Sequence, residues 1–238
     1  MPVRQHSALL FKLAVHRTGS SGSSQQVILD ELRRVILDGA VPPGTPIPVG
    51  DLAEMFKVSH IPVRESLKTL TGEGLVQHRP NAGYAVAQLT SSELAEMYIV
   101  RETLESAAMA AAIHTATDVD HAHLREVHRN LEQALKFDDA QAYHRQSREF
   151  HMALSRPSRM LRLVHMLESA WNITEPVQLM VHVEHSQRAV LHEDHQHMLT
   201  AFLGGDADEL LSASMIHNKR LNAVVQALPT DSGLITGD

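Results

Sequence analysis

His60, Arg64 and Lys68 recur at i, i+4 and i+8 within the stretch VSHIPVRESLKTL, residues 58–70. On a helix that spacing sets an imidazole, a guanidinium and an ammonium along one strip, a set of donors suited to phosphate oxygens and base edges. Val63, Leu67 and Leu70, at i, i+4 and i+7, form a neighbouring apolar stripe that must face a core. Ser59 stands where an N-cap belongs, and Pro62 falls in the first turn, where its missing N–H costs nothing. The chain carries a net charge of −7, which argues against nonspecific nucleic-acid binding by its whole surface. Between Lys57 and Arg79 the balance reverses: Lys57, Arg64, Lys68 and Arg79 face only Glu65 and Glu73. Taken alone, such a face reads as solvated surface; the elements around it decide.

Imidazole is the second chemistry-bearing group. Thirteen of the 17 His lie beyond residue 90. A single helical His is more often a surface or satisfied core residue than a ligand. Spacing offers His192 with His195 at i, i+3, and His144 with His151 two turns apart. The latter pair lies about 10 Å apart along a helix axis, too far for both to reach one ion at bonds of about 2 Å. His121 and His123 face different ways.

The positioning elements follow from periodicity and breakers. Ile28, Leu32, Val35 and Ile36 define a first helix, ended by Gly39. VPPGTPIP reads as a loop, and GDLAEMF as a short second helix. LVQHR and YAVAQL, about the turn PNAG, make a β-hairpin after the third helix. Three helices and a hairpin form a winged helix-turn-helix, whose third helix enters the major groove. Beyond Thr90 the pattern is helical throughout, with helices expected to about 114 and over 119–137, 139–155, 157–170, 187–203 and 206–227. The fold class is therefore mainly α: a winged helix-turn-helix joined to an all-α helical bundle. The expected boundaries are a flexible arm over 1–23, a DNA-binding domain over 24–88, a helical domain over 90–228 and a tail over 229–238.

LRRVILDGAVPPGTPI, DLAEMFKVSHIPVRESLKTLTGEGLV and NAGYAV resemble the N-terminal domain of the GntR family of bacterial transcription regulators over about residues 25–88. The resemblance implies that Arg64 contacts bases or phosphates, that Arg33 on the first helix contacts phosphate, and that Gly83 lets the wing approach the groove. Ser59, His60 and Lys68 complete the DNA-binding set. His60 stands where the family usually has Arg, whose bidentate grip on guanine a neutral imidazole cannot reproduce. A shifted operator preference follows, or an affinity that weakens as pH rises through the imidazole range.

VRETLESAAMAAA, SREFHMAL, DHQHMLTAFLGGD and MIHNKRL, in this order over about 92–227, resemble the FCD ligand-binding domain of the FadR subfamily. That domain holds a divalent metal with an Asp and three His. Mapped here, the ligands are His151, His195 and His217, from three different helices. Ser147 replaces the Asp, and a hydroxyl contributes no charge. Three outcomes follow: three imidazoles hold the metal with a water or effector that Ser147 bonds, another side chain moves in, or metal binding is lost. Zinc and nickel are the first candidates. The resemblance also implies a small organic-acid effector, with Arg101 facing its pocket; on spacing alone, Arg101 pairs equally well with Glu105 as a surface salt bridge.

Absence of Cys excludes disulfides and thiolate metal sites, and no apolar run reaches the length of a membrane span. The N-terminal arm, with Arg4, Lys12 and Arg17, does not read as a secretory signal. The expectation is a cytoplasmic, homodimeric DNA-binding regulator, with no catalytic residues, that senses a small carboxylate through a bound metal. Two alternatives stand beside it. One is a repressor that responds to the metal itself. The other is a metal-dependent hydrolase using the His cluster, for which HExxH is absent and Glu149, two residues before His151, points to another face.

Overall fold

In the computed structural model residues 23–229 and 233–237 are described. The chain divides into two compact units. One runs to Ser92 and includes Asn172–Val177 and the segment from Pro229; the other comprises Glu93–Trp171 and Gln178–Leu228. The arm expected over 1–23 lies outside the described residues except for Ser23.

The first unit opens with α1, Ser24–Leu37. The Ser23 hydroxyl accepts from the Gln26 backbone N–H at 3.3 Å and so closes the helix start. Its buried stripe is Ile28, Leu29, Leu32, Val35 and Ile36. β1 (Pro46–Ile47), α2 (Val49–Phe56), α3 (His60–Gly72), β2 (Val76–Arg79) and β3 (Gly83–Val86) follow. Lys57 ends α2 in the left-handed region, at φ 55°, which turns the chain sharply into α3. Val63, Leu67 and Leu70 are fully buried, and with the α1 stripe, Val41, Leu52, Leu75 and Val86 they form one core. Ser66 lies on the same face: its hydroxyl donates to the Gln25 carbonyl at 2.9 Å, tying α3 to the start of α1.

β2 and β3 pair antiparallel from Val76↔Val86 to Arg79↔Gly83. The loop read from VPPGTPIP is partly strand: Pro46 and Ile47 pair with Ala85 and Tyr84, giving the order β1-β3-β2. Pro46 is tolerated because β1 is an edge strand. The segment expected as a tail returns to the linker. The Leu89 carbonyl accepts from the Thr236 N–H at 2.9 Å, the Thr236 carbonyl from the Ser91 N–H at 3.1 Å, and Ile235 is buried.

The second unit is helical: α4 (Ser91–Ala112, whose first turn overlaps the unit boundary), α5 (Asp118–Lys136), α6 (Ala140–Ser155), α7 (Leu161–Thr174), α8 (His185–Gly204) and α9 (Ala207–Gln226). Thr117 and Asp120 form a reciprocal capping box at the start of α5. The helix expected over 157–170 begins later. Pro157 sits in a single 3-10 turn, Arg156–Ser158, and Arg159 at φ 59° breaks the path before α7. α8 and α9 join through Gly205 at φ 73°, with the Asp206 carboxylate accepting from the Glu209 N–H. Among the described residues no helix is long and apolar enough to cross a membrane. The architecture matches the expected class, a winged helix-turn-helix and a helical bundle.

Two substitutions on α3 separate its stripes. Leu67→Ala should lower the unfolding free energy by about 2–5 kcal/mol, the cost of a core cavity. Arg64→Ala, on the exposed side, should change it by less than about 0.5 kcal/mol. Chemical denaturation of the full chain checks both.

Candidate nucleic-acid interface and candidate metal centre

His60, Arg64 and Lys68 are exposed along the outer face of α3, opposite the core stripe. Arg64 makes no hydrogen bond or ion pair among the described residues, so its guanidinium has all its donors available. Lys68 reaches back to Glu65 at 2.8 Å, an exposed pair that a phosphate can replace at little cost. Ser59 occupies the N-cap position with extended backbone, but its hydroxyl makes no cap hydrogen bond and is exposed. Gly83 starts β3 at φ +86°, and no atom lies within 4 Å of where a Cβ would stand. The backbone conformation requires glycine there; crowding does not.

Arg33 is placed differently from its neighbours. Its fork takes Glu73 at 2.9 and 2.6 Å, and its third nitrogen takes Asp30 at 2.9 Å. This two-bond pair links α1 to the end of α3. A phosphate would have to compete with it.

In the second unit, α6, α8 and α9 bring His151, His195 and His217 together, each almost fully buried. One ring nitrogen from each lies within 4.8 Å of the others. The Nε2 atoms of His151 and His195 are 3.3 Å apart. Two nitrogens bound to one tetrahedral zinc at about 2.0–2.1 Å stand about 3.3–3.4 Å from each other. The spacing suits a shared ion.

The opposite nitrogens face polar neighbours at different distances. His151 Nδ1 lies 2.9 Å from Glu105, which also accepts from the Trp171 indole at 3.0 Å. His195 Nδ1 lies 3.5 Å from the Tyr143 hydroxyl, and His217 Nδ1 lies 3.6 Å from Asp194, itself paired with Arg220. The Glu105 contact orients His151 and leaves its inner nitrogen as the ligand atom, whereas His217 Nδ1 makes no hydrogen bond among the described residues. The donor set therefore fits a divalent metal: three imidazoles inside, two carboxylates behind them.

Ser147, one turn before His151, and His144, a further turn back, line the same small cavity together with Arg101. Its cavity volume is about 10 Å³, about what one ordered water needs. Arg101 is buried, not a surface residue. Its guanidinium stacks over Trp171 at 3.1 Å and Tyr98 at 4.5 Å, with Nε 3.8 Å from Glu105. The Arg101–Glu105 spacing was visible in the sequence; its burial was not. Asp194, Tyr143 and Trp171 were not singled out from the sequence, and Glu105 only as a partner of Arg101; the fold alone puts all four around the imidazoles.

Burial sets the protonation states. It drives His195 well below the ordinary imidazole range, with His217 and His151 adding to the effect, and it lowers His217 against the opposing pull of Asp194. Burial alone would raise the Glu105 carboxyl, but His151 and Arg101 bring it below its usual value, so it is ionised. Neutral imidazoles at His195 and His217 and an ionised Glu105 are states that suit a metal.

Beside the cluster, His128 stacks on His192 with ring centroids 4.8 Å apart. Burial, then His192, lowers its pKa to about 4. Between about 4 and the ordinary value near 6.5 the unfolded chain takes up the proton and the folded one does not. Stability should therefore rise with pH across that window and level off above it. His128→Asn should make the slope shallower, as measured by denaturation at stepwise pH. An identical slope would show that His128 does not exclude a proton.

Comparison with known proteins places these features in a family. Residues 24–86 match the gntR family of bacterial regulatory proteins, and residues 96–224 match the FCD domain. The chain is 30% identical over 142 residues to the HTH-type transcriptional regulator McbR of Escherichia coli strain K12, covering 60% of this chain and 64% of that protein. It is 28% identical over 175 residues to the Nta operon transcriptional regulator of Aminobacter aminovorans, covering 74% and 81%. The solved structure of E. coli McbR/YncC superposes with a TM-score of 0.75 at 25% identity, over 86% of this chain and 98% of that one. These relatives are transcriptional regulators and not enzymes, which removes the hydrolase reading. The chain belongs to the gntR family of bacterial regulatory proteins, in its FCD-domain branch, and is a DNA-binding transcriptional regulator.

Proposed function

We propose that the chain binds a short, roughly palindromic operator as a homodimer and adjusts its affinity to a small carboxylate sensed in the helical domain. The observation that carries this reading is the convergence of three buried imidazoles from three helices on one small cavity. Residues 24–88 form the DNA-binding domain and 90–228 the sensing and dimerising one. Arg64 and Lys68 reach phosphates or base edges, with Ser59 and His60 at the leading end of α3 and Gly83 shaping the wing. Arg33 holds α1 against α3 and so sets the angle at which α3 meets the duplex.

His151, His195 and His217 would hold a divalent metal, zinc or nickel. Bound there, the ion supplies a positive centre with open positions that can grip a carboxylate. Ser147 leaves room where a carboxylate side chain would stand, and its hydroxyl can bond a metal-bound water. Arg101 offers a second charge for the effector's acid group, in exchange for Glu105. Effector binding then shifts the population of arrangements that present α3 to DNA.

One observation favours a second reading. A cavity of about 10 Å³ holds about one water-sized occupant, so entry of an organic acid requires its lining to move. In a repressor that responds to the metal alone, no such movement is needed.

Purified full-length protein should carry about one divalent ion per chain by elemental analysis. His195→Ala should reduce that to background, and Ser147→Asp should strengthen retention against a chelator. Negligible ion in both the wild type and Ser147→Asp would defeat the metal centre. Operator binding, followed by anisotropy on stripped and on zinc- or nickel-loaded protein with and without citrate and C4 dicarboxylates, separates the two readings. A shift with metal alone, unaltered by any acid, establishes the metal-responsive one. Equal binding under every condition defeats both.

A further inference from the structure

Among the described residues, the first unit leaves one large apolar side chain exposed, and it stands on α3. Ile61 is 71% exposed, whereas Val63, Leu67 and Leu70 on the same helix are fully buried. It is the second residue of α3, beside His60, and it shares its helix face with Arg64, Glu65 and Lys68 at i+3, i+4 and i+7. An isoleucine there contributes nothing to the core of its own unit. It is a poor helix-start residue, being β-branched with no group to satisfy the free N–H donors of the first turn. Its position is that of a contact residue. The leading end of the third helix is the part of a winged helix-turn-helix that meets base edges, and the bases around it, Lys57, Arg64 and Lys68, are all exposed.

We infer that Ile61 reads the 5-methyl group of thymine in the major groove and is a specificity-determining residue of the operator contact. The major-groove edge of a base pair is polar except at that methyl, which is the one place where an aliphatic side chain is dehydrated without leaving a donor or acceptor unpaired. An Ile against cytosine or against the N6 amino group of adenine leaves that donor unpaired. Ile61 therefore selects by attraction at T and by penalty elsewhere. It works beside His60, which cannot supply the two-pronged guanine contact of an arginine, so the first turn of α3 shifts operator preference from G towards T. This inference rests on the DNA-binding reading of α3.

The test uses the full-length chain and a random-sequence duplex pool, because the operator is not known. Binding sites are selected with the wild type and with Ile61→Ala, and the affinities of both are then measured on the wild-type site with each thymine in turn replaced by deoxyuridine, which removes only the methyl. At one or two thymine positions the replacement should weaken the wild type about fourfold, the effect of one buried methyl. The same replacement should leave Ile61→Ala unaffected, and the Ile61→Ala selection should lose its preference for T there. A thermal melt should be the same for both proteins, since Ile61 lies outside the core. Equal deoxyuridine losses in the two proteins, or no loss in either, overturn the inference while the DNA reading stands. Failure of the wild type to enrich any sequence overturns both.

Discussion

A buried imidazole has two ring nitrogens, and each needs a partner. In the helical unit one nitrogen of His151 is held against Glu105, one of His195 faces Tyr143, and one of His217 faces Asp194. The inner Nε2 atoms of His151 and His195 lie 3.3 Å apart, close enough for one to donate to the other or for both to share an ion. Burial keeps His195 and His217 from taking up a proton, so their lone pairs stay available to a cation. The rest of the unit can be understood as the frame that keeps this arrangement closed: Tyr143 and His151 on α6, Glu105 on α4, His195 on α8 and His217 on α9 each stand on a buried helix face.

Two features make this centre different from a purely structural ion site. Ser147, not an acid, lines the cavity one turn before His151, so the three-imidazole set carries no charge of its own. An ion held by three neutral ligands keeps its full double charge and favours an anion in its open position. Arg101, buried beside Glu105 and stacked on Trp171, adds a second cation a short distance away. In the proposed metal reading, the same acid-free shell would weaken the grip on metal and strengthen its attraction for a carboxylate. The DNA-binding unit follows the opposite logic. Its chemistry is on the outside: one stripe of α3 is buried completely, which fixes the helix, and the other is left in water with Arg64 uncommitted.

The sequence was most legible where a periodic pattern met a breaker. The α3 stripes, the short α2 and the hairpin all followed from apolar spacing and from Gly, Pro and Asn at the turns, and the exposed positions of His60, Arg64 and Lys68 are where spacing put them. β1 escaped notice because two residues beside three prolines carry no alternation, and only pairing with β3 makes them a strand. The start of α7 moved from 157 to 161 because the left-handed backbone of Arg159, which no propensity marks, intervenes. The return of Thr236 to the linker is a backbone pairing between residues 145 positions apart and has no local signature.

The centre was legible only in part. Spacing along one helix offered pairs such as His192 and His195, which do not share the inner cluster. The three that do come from α6, α8 and α9, and it was the resemblance to the FCD domain that selected them. Glu105 had a visible partner in Arg101, but nothing in i, i+4 spacing tells a buried ion pair from a solvated one. Asp194 directly precedes His195 and points to a different helix face, so its approach to His217 depends on how α8 and α9 cross.

The arrangement of the three imidazoles around one ion can be measured without knowing the effector. X-ray absorption at the zinc edge of the metal-loaded full chain reports the number and type of scatterers in the first shell. The account predicts about three imidazole nitrogens at about 2.0–2.1 Å, with the outer-ring signature of histidine. A shell of oxygens without imidazole scattering would contradict it.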